Sequence, residues 1–366
     1  METLLGPDLL RALEGGHRTK WRVELLDSKD KMIRTLTEFQ GGKLEQNLYR
    51  AIRGGGNLTL LSEPGQTSFD IDWGTARFRP VMRIDDTWDI PWGIYLPSKP
   101  NEVLDEEQKT VSASVSLMDK LLVLQQDGPL DTFSLAAGTE VTDTIGYILT
   151  ELVGETMVIV EESNLALPNA RSYPPDASWL EIINDLCSII NYWSIFEDRQ
   201  GFLRVESYTD PARRSPIYTF THGASPYKPE WEKEQDWFDV PNRVVLRTDG
   251  GPEEEAFTAY ADNINPDSIF SIPSRGRVIR HFEDGVEAAD QMVLQELAWR
   301  RLESLTGAVT NLHLDIAPLP LWPNDRVNFI TNTDGSTIPL TVTQLQIPLD
   351  PTGLMQARFR QLVSVS

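Results

Sequence analysis

The sequence predicts a mainly β protein of the α+β class, with β-rich regions at both ends and a smaller α/β segment between them. Three observations predict it. From Thr19 apolar residues alternate with period two, and Gly, Pro, Asp and Asn break the strands at short intervals. Between Ser178 and Trp193 the period becomes that of a helix. In the last third a Pro-led strand, a long helix, a Pro-Asn-Asp turn and alternating strands follow one another in that order.

Residues 1–17 predict a short amphipathic helix or arm through Leu9, Leu10 and Leu13, ended by Gly15-Gly16. Trp21, Val23 and Leu25 alternate with polar neighbours, a turn follows at Asp27-Ser28-Lys29-Asp30-Lys31, and Met32 to Leu36 returns as a hairpin. Further short strands are expected at 44–52, 57–61, 68–73, 76–84, 92–96 and 110–116, the spacing of a small antiparallel barrel or sandwich. Residues 117–126 predict a helical turn or two. Thr142 is expected to cap a helix carrying Ile145, Ile148, Leu149 and Leu152, with Gly154 as its left-handed exit. Ser178 and Glu181 have capping-box spacing, in which each side chain satisfies a backbone N–H of the first turn. Trp179, Ile182, Ile183, Leu186, Ile190 and Trp193 then recur on one helical face, and 194–205 reads as strand, Gly-containing turn, strand. Beyond a Pro-rich, charged stretch, 240–247 predicts a strand, 249–255 an exposed loop, and 286–305 a helix with Val286, Ala289, Val293, Leu297 and Leu305 near one face. Three closing strands at 325–330, 338–346 and 354–362 are broken by Asp334-Gly335 and Asp350-Pro351.

A chain of 366 residues is long for one core and predicts two or three domains. With 40% hydrophobic and 24% charged residues it has the composition of a folded protein. Its 55 acidic and 33 basic side chains leave a net charge of −22, which disfavours gripping nucleic acid, because phosphate contacts need clustered Lys and Arg. The same charge serves solubility, and it suits a surface that must not hold passing DNA. Cys187 is the only cysteine, which excludes an intrachain disulfide and a cysteine-rich zinc site; its apolar setting predicts a buried filler. The opening residues lack the basic start and apolar run of a signal peptide, and no apolar run approaches the ~20 residues that span a bilayer. Secretion and membrane insertion of this chain are therefore not expected.

Little in the sequence points to catalysis. His17, His222, His281 and His313 are far apart and show no metal-ligand spacing. Arg53-Gly54-Gly55-Gly56-Asn57 lacks the Lys-Ser/Thr ending of a phosphate loop and precedes a strand, so a tight turn is expected there. Glu161-Glu162 and Glu253-Glu254-Glu255 read as solvated loops. Asp70-Ile71-Asp72 would put two carboxylates on one face of a strand, as a glycoside-cleaving pair needs, but no second acidic partner is predictable and an interface or turn role is preferred. No catalytic residue, metal ligand or cofactor site is assigned, and the chain is expected not to be an enzyme. Trp88 and Trp92 flank Asp89-Ile90-Pro91. Most of the tryptophans are expected in the core, whereas Trp231 and Trp237 sit in a segment too polar to form one and are candidates for a subunit interface.

The order of these elements resembles the baseplate hub, or tail hub (minor tail), proteins of long-tailed bacteriophages. The resemblance is carried by Trp21-Arg22-Val23-Glu24-Leu25-Leu26-Asp27, Ile71-Asp72-Trp73, Arg77-Phe78-Arg79-Pro80 and Trp92-Gly93-Ile94-Tyr95-Leu96-Pro97. Residues 179–205, Pro241-Asn242-Arg243-Val244-Val245, the 286–305 helix and Trp322-Pro323-Asn324-Asp325-Arg326-Val327 complete it.

The resemblance implies a hub-type architecture in which each subunit contributes two β-barrel-like domains and three subunits form a ring of six similar barrels. The implied division is an N-terminal arm at 1–17, a first barrel at 18–124, an α/β middle domain at 125–210, a second barrel at 211–250 and 305–366, and an excursion at 251–304 packing with the middle domain. Such a ring joins a six-fold tail tube to a three-fold tip, and an acidic lumen lets DNA pass without specific binding. The implied partners are two further copies of the chain, a distal tail or tube protein above, a spike or fibre below as a separate protein, and a tape measure protein in the lumen. The implied location is the distal end of the virion tail, after synthesis in the host bacterial cytoplasm. Two alternatives stand beside it: a distal tail protein forming a six-fold ring, and a carbohydrate-binding or carbohydrate-cleaving β protein that stacks sugars on exposed tryptophans.

Overall fold

The computed structural model describes residues 6–14, 17–225, 227, 228, 230, 232–235, 240–249, 256–307 and 310–362. A short helix, α1 (Pro7–Glu14), leads into strands β1 (Thr19–Leu26), β2 (Met32–Thr35), β3 (Phe39–Asn47), β4 (Gly54–Leu61), β5 (Arg77–Ile84), β6 (Trp88–Pro91), β7 (Tyr95–Asp105) and β8 (Thr110–Asp119). The middle of the chain carries α2 (Leu121–Gln126), β9 (Phe133–Leu135), α3 (Val141–Tyr147), β10 (Val158–Val160), β11 (Arg171–Tyr173), α4 (Trp179–Ile189), β12 (Phe196–Glu197) and β13 (Leu203–Val205). The last part comprises β14 (Tyr218–Thr221), β15 (Glu232–Gln235), β16 (Arg243–Arg247), β17 (Thr258–Asp262), α5 (Ile272–Arg275), β18 (Arg280–Glu283), α6 (Gln291–Gly307), β19 (Thr310–Ile316), β20 (Arg326–Ile330), β21 (Thr337–Pro348) and β22 (Met355–Gln361). The protein is thus mainly β in the α+β class.

Fourteen strands form one sheet in the order β15-β19-β22-β21-β3-β4-β8-β7-β5-β1-β2, with β20 and β14 branching from β21 and β6 from β5. Among the described residues the path is open and no closed barrel forms. The two β-rich ends of the chain meet where β21 pairs antiparallel with β3, from Gln344 opposite Asn47 to Pro348 opposite Lys43. Backbone bonds from Leu48 to Thr343 and from Leu349 to Gly42, both 2.9 Å, extend that seam. One apolar core lies under both ends, with Leu44, Leu58, Phe78 and Val115 sharing it with Phe220, Val327, Val342 and Phe359. Between β3 and β4 the backbones approach so closely that a Cβ on Gly42 or Gly56 would lie 2.2 Å from a carbonyl oxygen of the facing strand. The glycine run at 54–56 is therefore strand, not the tight turn that its composition predicts, and it is needed for this approach.

The middle region has its own core, built from α2, α3 and α4 around Leu121, Ile145, Ile183 and Leu186. The capping box at Ser178 and Glu181 forms as expected. The α3 helix starts two residues earlier than Thr142 implies: Glu140 is the N-cap, and the Thr142 hydroxyl donates instead to Ser163 O at 3.1 Å. Gly154 does leave the following turn at φ 76°. A third, smaller core lies between α6 and the sheet β17-β16-β18. Strand 243–247, which the sequence groups with the C-terminal β region, belongs to this small sheet, pairing antiparallel with β17 and parallel with β18.

Three tryptophans tie the chain ends together. Trp92 is 1% exposed and stacks between Trp21 at 6.0 Å and Trp322 at 5.9 Å, ring centre to ring centre. Replacing a buried indole by a methyl group removes its transfer energy and leaves a cavity in both halves of the shared core. Trp92→Ala is expected to lower unfolding stability by about 3–5 kcal/mol in urea titrations. A loss below about 1 kcal/mol, the level of a surface change, would show that the two ends hold together without it.

Candidate functional site

A cluster of four buried charges lies where the N-terminal strands meet the middle region. Lys120 follows β8, Arg77 opens β5, Asp30 sits in the β1–β2 turn and Glu155 follows Gly154. Lys120 Nζ contacts Asp30 at 2.7 Å and Glu155 at 3.0 Å, and Arg77 contacts the same two carboxylates at 2.8 and 2.9 Å. Two cations and two anions thus alternate around a closed square, with every member at most 9% exposed along its side chain. Buried charges are tolerated in this way, paired on each side with their remaining hydrogen-bond capacity used.

The β12–β13 hairpin of the middle region inserts beside this square. Lys120 Nζ also donates to Gly201 O at 3.1 Å, and Glu197 accepts from Ile94 N at 2.6 Å and Lys120 N at 3.2 Å. Gly201 has φ 95°, where a side chain is strained, and an ideal Cβ there would fall 2.3 Å from Ile94 Cδ1, so a larger residue at the hairpin tip would have to displace Ile94. One residue pair along, Gly93 N donates to Arg199 O at 2.8 Å, while the Arg199 side chain reaches the C-terminal region. Its guanidinium donates to Pro320 O at 2.9 Å, approaches Asp325 at 3.5 Å and lies over the Trp322 ring. Asp325 accepts from Trp322 N at 2.7 Å, and Asn324 takes φ 74° in the same turn. The Pro-Asn-Asp turn is thus a socket for Arg199, and one hairpin holds both β-rich ends.

Burial shapes the carboxylates here. It pushes Asp119 up to about 7, against hydrogen bonds from Gly54 and Leu121. Burial, and then the neighbouring Asp119 charge, raises Glu197 well above the usual carboxylate range. Burial also lifts Asp325 to about 6, with Arg199 opposing. Glu155 goes the other way: although burial opposes it, Lys120 and Arg77 hold its carboxyl below the ordinary value.

The residues singled out from the sequence are dispersed. His17 lies against Pro318 O, His281 against Glu283 and His313 near Glu232, and among the described residues no group of His, Cys, Asp or Glu has the geometry to hold a metal ion. Residues 68–73, expected as a strand, form a loop, because Asp72 captures Gly74 N at 3.1 Å and the Thr75 hydroxyl at 2.8 Å in a local turn. Asp70 and Asp72 are therefore not a strand-face pair. Cys187 is buried in the middle core, where burial pushes its thiol up to about 12. Trp231 and Trp237 lie outside the described residues. Sequence reasoning missed Lys120 and Arg199; the signal for the first was an Asp-Lys pair inside the apolar run Leu117-Met118-Asp119-Lys120-Leu121-Leu122.

One exposed surface stands out. The face of the small sheet turned away from α6 carries Tyr260 (61% exposed) and Phe282 (45% exposed), each in register with Val245 on the strand between them. Arg243 and Arg280 stack over these two rings.

Two outcomes follow from the junction. Lys120→Met leaves Asp30 and Glu155 sharing Arg77 alone and is expected to cost about 3–5 kcal/mol by chemical denaturation. Removing the exposed Lys20–Asp86 pair is expected to cost far less, because solvent screens it, and equal losses at both sites would contradict a special role for the square. Because Asp119, Glu197 and Asp325 bind protons more tightly folded than unfolded, folding stability is present below about pH 4–5 and falls as pH rises toward 7. Glu155, shifted down, loses its contribution only below its unfolded value of 4.5. The melting temperature is expected to peak near pH 5 and to decline toward pH 8, and Asp119→Asn is expected to flatten that decline. A slope unchanged in the variant would assign the effect to general charge repulsion.

No family model matches the chain, and neither does any curated protein. Solved structures do match it. A tail protein from Neisseria meningitidis MC58 aligns over 94% of this chain and 97% of its own length, with a TM-score of 0.63 at 11% identity. The 43 kDa tail protein of prophage MuSo2 from Shewanella oneidensis aligns over 95% and 98%, with a TM-score of 0.61 at 14% identity. An E. coli component of the type VI secretion system, described as structurally similar to the T4 bacteriophage tail proteins gp27 and gp5, aligns over 89% and 74%, with a TM-score of 0.52 at 9% identity. At such identities the likeness is one of fold, and the fold this chain has is that of phage tail and baseplate-type proteins.

Proposed function

We propose that the chain is the hub subunit of a phage tail baseplate, a structural part without catalytic activity of its own. The observation that carries this reading is the end-to-end likeness to tail proteins, which covers nearly the whole of both chains. In this reading three copies close into a ring, each contributing residues 18–124 and the C-terminal strands as two similar β units. Strand 243–247 goes with the excursion, in keeping with its pairing to β17 and β18. The ring joins the six-fold tube to a three-fold tip at the distal end of the tail. A tube or distal tail protein binds above, a spike or fibre below, and tape measure protein and then DNA occupy the lumen. The rigid junction suits this role, since a symmetry adaptor must hold its β units at a fixed mutual angle. A ring of this kind closes through unlike patches on neighbouring subunits. The Tyr260–Val245–Phe282 row has the aromatic, apolar character of such a contact.

Electron microscopy of the purified chain, with symmetry taken from unbiased class averages, tests the reading. A three-fold ring with six similar densities around an open channel is the expected result. A six-fold ring would favour a distal tail protein instead. Monomers that stay monomeric when mixed with a tube protein would remove the hub reading. Tyr260→Asp combined with Phe282→Asp is expected to abolish ring formation in size-exclusion chromatography while leaving the circular dichroism spectrum unchanged; intact rings would move the contact elsewhere.

A further inference from the structure

A cleft of about 560 Å³ opens between the β3–β4 turn, the end of α4 and helix α6. Five arginines line it, Arg50, Arg53, Arg300, Arg301 and Arg360, against a single carboxylate, Glu283. Among the described residues only two of the five reach a carboxylate within 4 Å: Arg50 approaches Glu45 at 3.7 Å and Arg301 approaches Glu283 at 2.8 Å. Arg53 donates to Ser194 O at 3.0 Å and lies over the Phe196 ring. Arg300 donates to Asn191 Oδ1 at 2.9 Å and Tyr192 O at 3.1 Å, with Trp193 and Tyr208 rings 5.0 and 4.4 Å from its guanidinium. Arg360 Nε is buried and has no hydrogen-bond partner. Burial lowers Arg53 to about 10, the mark of a cation held with little compensation from the more distant Asp119 and Glu206.

This concentration runs against the chain as a whole, which carries a net charge of −22. A buried cationic donor without an acceptor is unfavourable, so the cleft has unused capacity for an anion at Arg360. Guanidinium forks suit carboxylate and phosphate alike. Two features select between them. Leu48, Leu246, Val286 and Leu297 give the cleft an apolar lining, which a bare phosphate does not use. The acidic excess also opposes a phosphodiester chain, whose binding needs cations along its track.

We propose that this cleft is a binding site for a carboxylate-bearing peptide segment of a partner protein, with Arg360 and Arg53 receiving the acid and the apolar lining receiving the neighbouring side chains. The site does not depend on the ring: the monomer carries every residue it needs.

The test is fluorescence anisotropy of the intact chain with a labelled peptide of alternating Leu and Glu, against its Leu/Gln counterpart, at low salt. The Glu peptide is expected to bind at least about tenfold more tightly, a difference of about 1.4 kcal/mol. Arg360→Gln is expected to weaken it about tenfold without lowering the melting temperature, and Glu283→Gln, which removes the competing carboxylate, to strengthen it. The opposite directions of these two variants separate a binding effect from misfolding. Equal binding of the two peptides, or an affinity indifferent to both substitutions, would overturn the proposal. So would displacement of the Glu peptide by pyrophosphate or a single-stranded DNA oligonucleotide at lower concentration than the unlabelled peptide itself, since the site would then be a phosphate site.

Discussion

The square of Lys120, Arg77, Asp30 and Glu155 is the constraint on which the rest of the chain's arrangement depends. Its four members come from four separate stretches of sequence: the β1–β2 turn, the start of β5, the end of β8 and the loop after Gly154. Apolar contacts tolerate small slips, because dispersion and hydrophobic burial are weakly directional. A closed ring of buried ions does not, since displacing one member strands its neighbours without solvent. The hydrophobic cores therefore account for most of the stability, and the square fixes how the middle region is oriented against the N-terminal strands. The hydrogen bond from Lys120 to Gly201 O then sets the β12–β13 hairpin, and Arg199 on that hairpin sets the Pro-Asn-Asp turn. The chain of dependence runs from one buried ammonium to the far end of the molecule.

The seam between β3 and β21 is the second support, and it works differently. Backbone pairing fixes register, because a slip of one residue would turn Leu44, Leu345 and Ile347 out of the shared core. The close approach at Gly42 and Gly56 adjoins this seam, where two strands lie nearer than side chains would allow. These glycines have no chemistry of their own, and a glycine-rich run beside an arginine invites a phosphate-loop reading only while the facing strand is unknown.

Local signals were legible in the sequence. The hairpin at Trp21–Leu36, the Ser178–Glu181 cap, the left-handed Gly154 and the three closing strands each depend on residues within one turn or one strand, and period and turn chemistry specify them. What failed was non-local. At 68–73 the alternation of Ile71 and Trp73 reads as strand, and the turn role open to its aspartates prevails only because Asp72 captures Gly74 N and the Thr75 hydroxyl. Nothing near 243–247 says which sheet it joins; that choice is made by α6, some fifty residues on, whose Leu294, Ala298 and Leu302 cover Val244 and Leu246. The buried ions were hidden for the same reason. A lone Lys120 in an apolar run is anomalous, but its partners at 30 and 155 come together only in the folded chain.

The acidic surplus takes on a second meaning in this light. Asp27, Asp72, Asp105, Asp198, Asp210, Asp334 and Asp350 each accept backbone N–H groups two residues on, closing a turn between elements. A protein of many short strands needs many turns, and aspartate closes them by making the side-chain bonds that a backbone turn would otherwise need. Part of the net charge is thus a by-product of topology and carries no message about a partner. The arginines of the cleft cannot be explained that way. Arg360 stands on β22, Arg300 on α6 and Arg53 at the mouth of β4, in or beside regular elements and not in Asp-closed turns, and none of the three has an ion pair within 4 Å among the described residues. Positive charge gathered against the prevailing sign, with few carboxylates beside it, is the part of this composition that the need for turns leaves unexplained.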